Sequence, residues 1–193
     1  MSLAHVLLTS LLEKPNSGYE LAQRFDKSMG FFWCATHQQI YRELKRMEAA
    51  GWIDSHAAAD AGKTKKRTYT VLAAGTVELQ QWVQKDFEPP AQRDELLVRL
   101  RAEAILGELG MEQQLKHQLA LHEHRLATYT VIAQRDFANT CHLEREKQIQ
   151  ARILQLGIDI EQVWIQWMQQ TIDLLEQLAT TDALPSTEKT PPR

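Results

Sequence analysis

The order of helical and strand-forming segments in the first 72 residues is the feature that most constrains how this chain folds. Three helical segments come first. Two short β-prone runs, residues 52–56 and 67–72, then follow on either side of a glycine-containing basic stretch. Two β-prone runs arranged in this way predict a hairpin. The N-terminal part of the chain is therefore predicted to contain three helices and one small antiparallel hairpin.

Two capping boxes predict where the second and third helices begin. Ser17 lies three residues before Glu20, and Thr36 lies three residues before Gln39. In such a box the hydroxyl accepts a hydrogen bond from a first-turn N–H, while the longer side chain bonds back to the capping residue. Gly51 marks the predicted end of the third helix, because glycine readily adopts the backbone conformation found just past a helix.

The third helix is predicted to have one apolar and one polar face. Ile40, Leu44 and Met47 recur at i, i+4 and i+7, which predicts a buried stripe. Three helices followed by a hairpin, with polar and basic residues on the third helix, is the arrangement of a winged helix-turn-helix. The third helix is then the predicted recognition helix, since a helix fits the major groove and its N-terminal residues reach base edges.

The side chains of this helix predict how it contacts DNA. The amides of Gln38 and Gln39 can pair with adenine, and Arg42 can pair with guanine or hold a phosphate. Arg46 is predicted either to contact a phosphate or to pair with a neighbouring acidic residue such as Glu43. The alternative for the whole face is an ordinary solvated helix surface. The DNA contacts assigned to this helix and its cap from side-chain chemistry are Thr36, Gln38, Gln39, Arg42 and Lys45.

The basic stretch between the two strands is the second predicted DNA contact. Lys63, Lys65, Lys66 and Arg67 place four positive charges within five residues. At an exposed tip these side chains can follow a phosphate strand or enter a minor groove. Residues 1–72 hold ten Lys and Arg against seven Asp and Glu, although the whole chain has a formal net charge of −3. This asymmetry favours a DNA-binding head on an acidic body over a merely solubilising loop.

Two adjacent prolines, Pro89 and Pro90, mark the predicted boundary between two domains. Because proline disfavours a helical conformation in the residue before it, a fourth helix over residues 73–86 is predicted to stop ahead of them. The predicted organisation is a winged helix-turn-helix domain over residues 1–88, a helical dimerisation domain over residues 91–180 and a disordered tail over residues 181–193.

Beyond Pro90 the sequence shows no strand signal, and three further helices are predicted, over residues 94–106, 111–137 and 143–178. The last one carries a long apolar stripe with a gap at Thr171. A stripe of this length needs cover, and packing across the two-fold axis of a homodimer is the predicted cover. The fold class is therefore mainly α with a small β-hairpin, in which long antiparallel C-terminal helices form a dimerisation domain. The residues assigned to dimerisation are Leu97, Leu100, Ile153, Ile160, Trp164, Trp167 and Leu174.

Other classes of protein are disfavoured by what the sequence lacks. It contains no nucleophile elbow, phosphate loop, dinucleotide fingerprint or HExxH motif, so no enzyme activity, cofactor or metal site is expected. His122 and His124 are two residues apart and face different sides of a helix, which suits metal binding poorly. No apolar run reaches the roughly 18–20 residues that cross a bilayer. Two widely separated cysteines, Cys34 and Cys141, fit a cytoplasmic protein.

Several segments of the chain form a recognisable set when they are taken together in this order. Its residues are Gly18-Tyr19-Glu20-Leu21, Phe32-Trp33, the run from Ile40 to Ile53, Tyr69-Thr70-Val71 before Gly75, and Trp164. With these residues the chain resembles the PadR family of bacterial transcriptional regulators, in the branch of AphA-like virulence activators. Leu72 departs from the family pattern, which usually has a threonine there that caps the fourth helix. The resemblance implies that Tyr41, and Tyr19 from the second helix, contact the DNA backbone.

The resemblance implies a homodimer that places two winged heads on a palindromic operator in double-stranded DNA. Repression is favoured over activation as the sign of regulation. A winged helix that binds another protein without specific DNA contacts is the alternative, and the basic residues of the third helix and the tip speak against it. A small aromatic or hydrophobic effector is left open by the resemblance, whereas Trp164 and Trp167 are interpreted as ordinary core.

Overall fold

The computed structural model describes residues 3–27, 33, 35–57, 67–89, 91, 93–138 and 144–182 of the 193-residue chain. The chain divides into two compact units, Met1–Pro90 and Ala91–Arg193. The predicted DNA contacts Lys63, Lys65 and Lys66 lie outside the described residues, as does the predicted tail beyond residue 182.

The described part of the first unit consists of four helices and a three-stranded antiparallel sheet. Its elements are α1 (Leu3–Glu13), β1 (Asn16–Ser17), α2 (Gly18–Lys27), α3 (His37–Ala49), β2 (Ile53–Ala57), β3 (Arg67–Val71) and α4 (Ala73–Gln84). The strand order is β1-β3-β2. The predicted hairpin is confirmed as β2 and β3, which pair from Ile53 opposite Val71 to Ala57 opposite Arg67.

The short strand β1 is a feature that the sequence did not predict. Asn16 pairs with Tyr69, and Ser17 pairs with Thr68. Two residues are too few to show an alternating pattern, so only the tertiary position of the chain after α1 reveals the strand. Ser17 also begins α2 as predicted, because its hydroxyl accepts a hydrogen bond from the Glu20 N–H at 3.2 Å. The Glu20 carboxylate in turn accepts from the Ser17 N–H at 3.1 Å.

The core of the first unit holds α3 by one face. The predicted apolar stripe is confirmed, since Ile40, Leu44 and Met47 are each 0% exposed. Trp33 and Trp52 are partly buried and pack against the same cluster. Burial of an aliphatic or methionine side chain contributes about 1.5–3 kcal/mol. The stripe therefore fixes α3 firmly while its other faces remain available to a partner.

The start of α4 depends on a glycine rather than on a cap. Leu72 occupies the N-cap position without a side-chain hydrogen bond, yet α4 begins at the predicted residue. The Leu72 N–H instead donates to the Trp52 carbonyl oxygen at 2.9 Å. A Cβ atom on Gly75 would lie 2.3 Å from that same oxygen. Only glycine therefore lets α4 pack this closely against the turn that follows α3.

The described part of the second unit consists of α5 (Glu95–Leu106), α6 (Met111–Phe137) and α7 (Arg145–Asp182). The Asp94 carboxylate caps α5 by accepting from the N–H groups of Leu96 and Leu97. The buried carboxylate of Glu103 accepts from two backbone N–H groups around the start of α6, at 2.8 and 2.9 Å. Both carboxylates satisfy N–H groups that a helix terminus leaves without an intrahelical partner.

The two long helices of the second unit, α6 and α7, pack antiparallel. Lys116 pairs with Glu176 at 2.7 Å near one end, and the Tyr129 ring meets Gly157 toward the other. A Cβ atom on Gly157 would lie 3.2 Å from that ring, and α7 runs through this position as one helix. Gly157 therefore permits close packing. The small core comprises Leu115, Met168 and Ile172, with Leu96, Leu100, Leu119, Trp164, Trp167 and Leu175 packed around it.

Candidate nucleic-acid interface

The first turn of α3 is held by the predicted capping box. The Thr36 hydroxyl accepts from the Gln39 N–H at 3.2 Å, and the Thr36 N–H donates to the Gln39 side-chain oxygen at 2.8 Å. A bidentate contact with adenine needs both groups of an amide, and the oxygen of Gln39 is already used within the chain. Gln38 is exposed and makes no hydrogen bond to another described residue. Of the two glutamines, Gln38 is the better equipped to read a base.

Arg42 and Lys45 supply the uncompensated positive charge on α3. Both are exposed, and neither forms an ion pair with any residue that the structure describes. Arg46 differs, because its guanidinium bonds the Glu43 carboxylate at 2.6–3.1 Å and lies 5.4 Å from the centre of the Trp52 ring. Hydrogen bonding to Glu43 raises the pKa of Arg46. The predicted alternative, pairing of Arg46 with Glu43, is confirmed.

The two tyrosines predicted to contact the DNA backbone lie where the start of α2 packs against the first half of α3. A Cβ atom on Gly18 would be 2.5 Å from Cε1 of Tyr41, so glycine at that position makes room for the ring. Tyr19 follows Gly18 directly, and its hydroxyl oxygen accepts a hydrogen bond from the Gln23 amide at 2.8 Å. Both tyrosines remain exposed, which leaves their hydroxyl groups accessible to a phosphate.

Glu48 joins the C-terminal part of α3 to both strands of the hairpin. Its carboxylate accepts hydrogen bonds from the Ser55 hydroxyl on β2 and from the Arg67 guanidinium on β3. Arg67 also donates to the Ser55 carbonyl oxygen at 3.3 Å. Burial, and next the charge of Glu48, raise the pKa of the neighbouring Tyr69. Sequence reasoning missed Glu48, because no local pattern shows which residues of the hairpin lie opposite it.

The predicted DNA contacts thus fall in different places. Thr36, Gln38 and Gln39 form the first turn of α3, Arg42 and Lys45 continue along its exposed face, and Tyr19 and Tyr41 lie beside it. Arg67 lies on β3 opposite Ala57, at the end of the hairpin from which the basic stretch extends, and it contacts the C-terminal part of α3 through Glu48.

The residues predicted to form the dimer interface separate into two sets. Leu100, Trp164 and Trp167 pack against the core of their own unit, and the two tryptophan rings meet edge to face at 5.6 Å. The other four, Leu97, Ile153, Ile160 and Leu174, are 40–52% exposed. Four more apolar residues of α7 are 44–66% exposed, so this helix carries a second apolar face in addition to its packed one: Ile149, Leu156, Val163 and Leu178.

His122 is engaged inside the second unit. Its Nδ1 lies 2.5 Å from the Glu161 carboxylate, which is also 3.5 Å from the Arg125 guanidinium, and its ring stacks on Trp164. His124 is exposed, so the two histidines do not converge. In the described ranges no three His, Cys, Asp or Glu side chains are grouped to hold a metal ion. Within those same ranges, none of the helices combines the length and apolar character of a membrane span.

The three helices, the hairpin and the exposed polar face of α3 define the first unit as a winged helix-turn-helix, a DNA-binding class of fold. The PadR-like transcriptional regulator family matches residues 7–81, and the C-terminal domain of virulence activators (Virulence activator alpha C-term) matches residues 92–176. Rv1176c, a probable transcriptional regulator of Mycobacterium tuberculosis, is 33% identical over 187 residues, 92% of this chain and 99% of that protein. The chain belongs to the PadR-like family and is a transcriptional regulator rather than an enzyme, as predicted.

Further relatives agree with this assignment. The negative transcriptional regulator PadR of Bacillus subtilis is 29% identical over 126 residues, which cover 65% of this chain and 69% of that protein. The structure of the Vibrio cholerae virulence activator AphA superposes with a TM-score of 0.76 at 28% identity, over 92% of this chain and 99% of that one. Bacillus subtilis PadR in complex with operator DNA has the same fold, with a TM-score of 0.78 at 22% identity over 89% and 97% of the two chains.

Proposed function

We propose that this regulator is a cytoplasmic, sequence-specific DNA-binding protein that acts as a homodimer on a palindromic operator. The observation that carries the proposal is the exposed face of α3, where Gln38, Arg42 and Lys45 point away from the core without partners among the described residues. In a major groove, an amide and a guanidinium can bond to base edges. Lys45, which lies further along the helix, contacts a phosphate in this arrangement.

The basic stretch at the tip of the hairpin adds affinity that does not depend on the DNA sequence. Lys63, Lys65 and Lys66 neutralise phosphates on the flanking DNA, and the release of counterions makes binding sensitive to salt. Base contacts from α3 and phosphate contacts from the tip therefore make separable contributions. Loss of a base contact reduces the preference for the operator, whereas loss of a phosphate contact weakens binding to every DNA.

The test is a titration of the protein against a labelled fragment from upstream of its own gene, with unrelated DNA as competitor, at several salt concentrations. Gln38→Ala is expected to lose about 1–3 kcal/mol of discrimination between the two DNAs. Lys65→Ala is expected to weaken both equally and to lower the salt slope by about 1.8, since a homodimer loses two phosphate contacts at about 0.9 each. Gln80→Ala, an exposed change on α4, is the matched control.

Two results would contradict the DNA-binding proposal. If Gln38→Ala and Lys65→Ala both keep the affinity and specificity of the original protein, the assigned surface is wrong. If the unmodified protein binds operator-region and unrelated DNA equally weakly, the alternative of a protein-binding winged helix takes its place.

The symmetry of the exposed apolar face of α7 supports a homodimer. Ile149 and Leu178 are equally far from the midpoint between Val163 and Trp164, and so are Ile153 and Leu174. The counterpart of Ile160 is Trp167, which is partly buried against the core of its own unit. An interface between identical surfaces requires that residue i meets residue j while j meets i. A second copy of α7, antiparallel to the first and with the two-fold axis at this midpoint, meets that requirement.

The charges along α7 favour the same antiparallel arrangement. Residues 145–152 hold three basic residues and one acidic residue, whereas residues 164–182 hold three acidic residues and no Lys or Arg. Glu176 is held by Lys116 within the protomer, and the other two acidic residues are not offset within this stretch. Antiparallel pairing brings the basic start of one helix beside the acidic end of the other, whereas parallel pairing sets like charges together.

Cysteine cross-linking tests this dimer. In a background in which Cys34 and Cys141 are replaced by serine, Ile153→Cys mixed with Leu174→Cys is expected to be joined by a short bismaleimide, while neither variant alone is joined to itself. Efficient self-cross-linking of each single variant would indicate parallel helices. A monomer in sedimentation experiments would exclude the homodimer altogether.

Repression is the proposed sign of regulation, because two recognition helices in successive major grooves, about 34 Å apart, physically cover the operator. The Bacillus subtilis relative is a negative regulator, and the Vibrio cholerae relative is an activator. In vitro transcription from the upstream fragment is expected to fall as the protein is added. A rise in transcription would reverse the assignment.

A response to a small aromatic or hydrophobic molecule is a second proposal, which a complex of Bacillus subtilis PadR with p-coumaric acid supports at the level of the shared fold. The adjacent rings of Trp164 and Trp167 provide the probe. Aromatic acids are expected to quench tryptophan fluorescence and to release the DNA. Quenching with unchanged DNA binding would contradict the proposal.

A further inference from the structure

We propose that Glu48 is a positioning residue for DNA binding, which sets the direction of the hairpin relative to the recognition helix, and that Arg67 acts as its partner rather than as a phosphate ligand. This inference rests on the proposed function, since it concerns how two DNA-contacting elements are held in register. The sequence predicted Arg67 as a DNA contact and indicated no role for Glu48.

The geometry of three side chains carries the inference. The Glu48 carboxylate bonds to the Ser55 hydroxyl on β2 and lies 3.3 Å from the Arg67 guanidinium on β3. Arg67 closes the triangle by donating to the Ser55 carbonyl oxygen at 3.3 Å. One carboxylate oxygen therefore links α3 to both strands, at the end of the hairpin from which the basic stretch extends.

The burial of the link adds to its strength. The side chain of Glu48 is 31% exposed, less than the 56% of Arg67, so the ion pair is partly shielded from solvent on the carboxylate side. Hydrogen bonds to a charged group contribute more than neutral ones. The carboxylate also raises the pKa of Tyr69, after the larger effect of burial, which shows that its charge acts on the centre of β3.

The link affects DNA binding by keeping the hairpin aligned with α3. The core fixes α3 through one face, and the basic stretch leaves the hairpin at Ala57 and returns at Arg67, opposite each other in the sheet. Without the link, the hairpin is free to rotate relative to α3 before DNA binds, and its tip must be realigned with the phosphates each time a complex forms. Two contacts held in one geometry bind with less loss of conformational freedom than two that move independently.

The experiment compares Glu48→Gln and Arg67→Met, singly and together, in the same titration against the upstream fragment and unrelated DNA. Glutamine retains an acceptor for the Ser55 hydroxyl but loses the ion pair. Each single variant is expected to bind the operator about tenfold more weakly, which is about the effect of one charge-assisted hydrogen bond. The salt slope is expected to stay unchanged, because the hairpin can be realigned on binding and its tip then makes the same phosphate contacts in the complex.

The double variant is expected to be no weaker than either single variant, since both changes break one link. Glu43→Gln is the matched control, because it removes the same charge from the same helix while its partner is Arg46 rather than the hairpin. This control is expected not to weaken operator binding. Hydrogen exchange without DNA gives an independent readout: the amides of Ser55 and Tyr69 are expected to exchange faster in Glu48→Gln and not in Glu43→Gln.

Several outcomes would overturn the inference. A salt slope lowered by about 1.8 in Arg67→Met, about 0.9 for each copy in the homodimer, with both DNAs weakened equally, would make Arg67 a phosphate ligand. Tighter operator binding by Glu48→Gln would show that the main effect of the Glu48 carboxylate is to repel the phosphates of DNA. Unchanged operator affinity in both variants would refute this inference alone, whereas a lack of discrimination in the unmodified protein would refute the proposed function as well.

Discussion

The two units of this protein bury their apolar residues in different ways. In the first unit, α3 has a single apolar face that is fully enclosed, and its remaining surface is polar and basic. In the second unit, α7 has one apolar face packed against α6 and another that is about half exposed. The first pattern suits a polyanionic partner, and the second suits another apolar protein surface.

This contrast shows that the apolar periodicity of a long helix such as α7 is not enough to identify what covers each of its faces. A stripe at three- and four-residue spacing says that one side is covered, but not whether the cover comes from the same chain. Trp164 and Ile160 both fit the stripe, yet Trp164 packs on its own core whereas Ile160 is exposed. The symmetry of the exposed positions about the midpoint of α7 is the reason why we propose self-association as the cover of this face.

The largest expected effect tests the enclosed core of the first unit. Leu44→Ala removes a side chain that is fully buried, and the resulting cavity is expected to lower the free energy of unfolding by about 3 kcal/mol. Val77→Ala, an exposed change on α4, is expected to alter it by less than about 0.5 kcal/mol. Urea titrations measure both values. Equal small losses would show that the two positions do not differ in burial as described.

A slightly smaller effect tests the exposed face of the second unit. Ile160→Glu places a charge on each copy of the proposed interface, within the exposed apolar face of α7. The dimer is expected to dissociate about a hundredfold more readily, equivalent to about 2.7 kcal/mol. Sedimentation velocity measures the change, and circular dichroism is expected to show unaltered helix content. Gln166→Glu adds the same charge to α7 away from the stripe, and dissociation of this control would refute the interface.

The features that could be predicted from the sequence are those made by residues close to one another in the chain. Both capping boxes, the buried stripe of α3 and the hairpin depend on residues close in sequence, and all were predicted. The link from Glu48 to the hairpin depends on which residues a distant strand places beside α3. Gln39 shows a different limit, because its amide suits both a capping box and a base contact, and only the observed hydrogen bond to Thr36 shows which role it takes in the free protein.

The two units also differ in how closely a glycine lies against its neighbours, at Gly75 in the first unit and at Gly157 in the second. Gly75→Ala brings Cβ within 2.3 Å of a backbone oxygen that cannot turn aside, so a loss of about 1–2 kcal/mol is expected. Gly157→Ala meets the Tyr129 ring at 3.2 Å, where a small shift suffices. Alanine also favours a helix by about 1 kcal/mol over glycine, so this second change is expected to be nearly neutral. Thermal unfolding of the two variants measures the difference.

The smallest effect concerns one tyrosine in each unit. Burial is the main cause that raises the pKa of Tyr69 and of Tyr129, with additional contributions from Glu48 and Glu161. Above the ordinary tyrosine pKa of about 10, the unfolded chain has lost protons that the folded chain still binds. The free energy of unfolding is therefore expected to fall as pH rises beyond that value.

Urea titrations between pH 9 and pH 11 measure this alkaline loss of stability. Tyr69→Phe and Tyr129→Phe are each expected to make the decline shallower, because each removes a phenol whose ionisation opposes folding. Val83→Ala, an exposed change on α4 that removes no titratable group, serves as the control and is expected to leave the decline unchanged. If only Tyr129→Phe has an effect, solvent reaches Tyr69 in the middle of the hairpin more readily than it reaches Tyr129 between α6 and α7. The enclosed core of the first unit then does not extend to β3, the strand that carries Arg67.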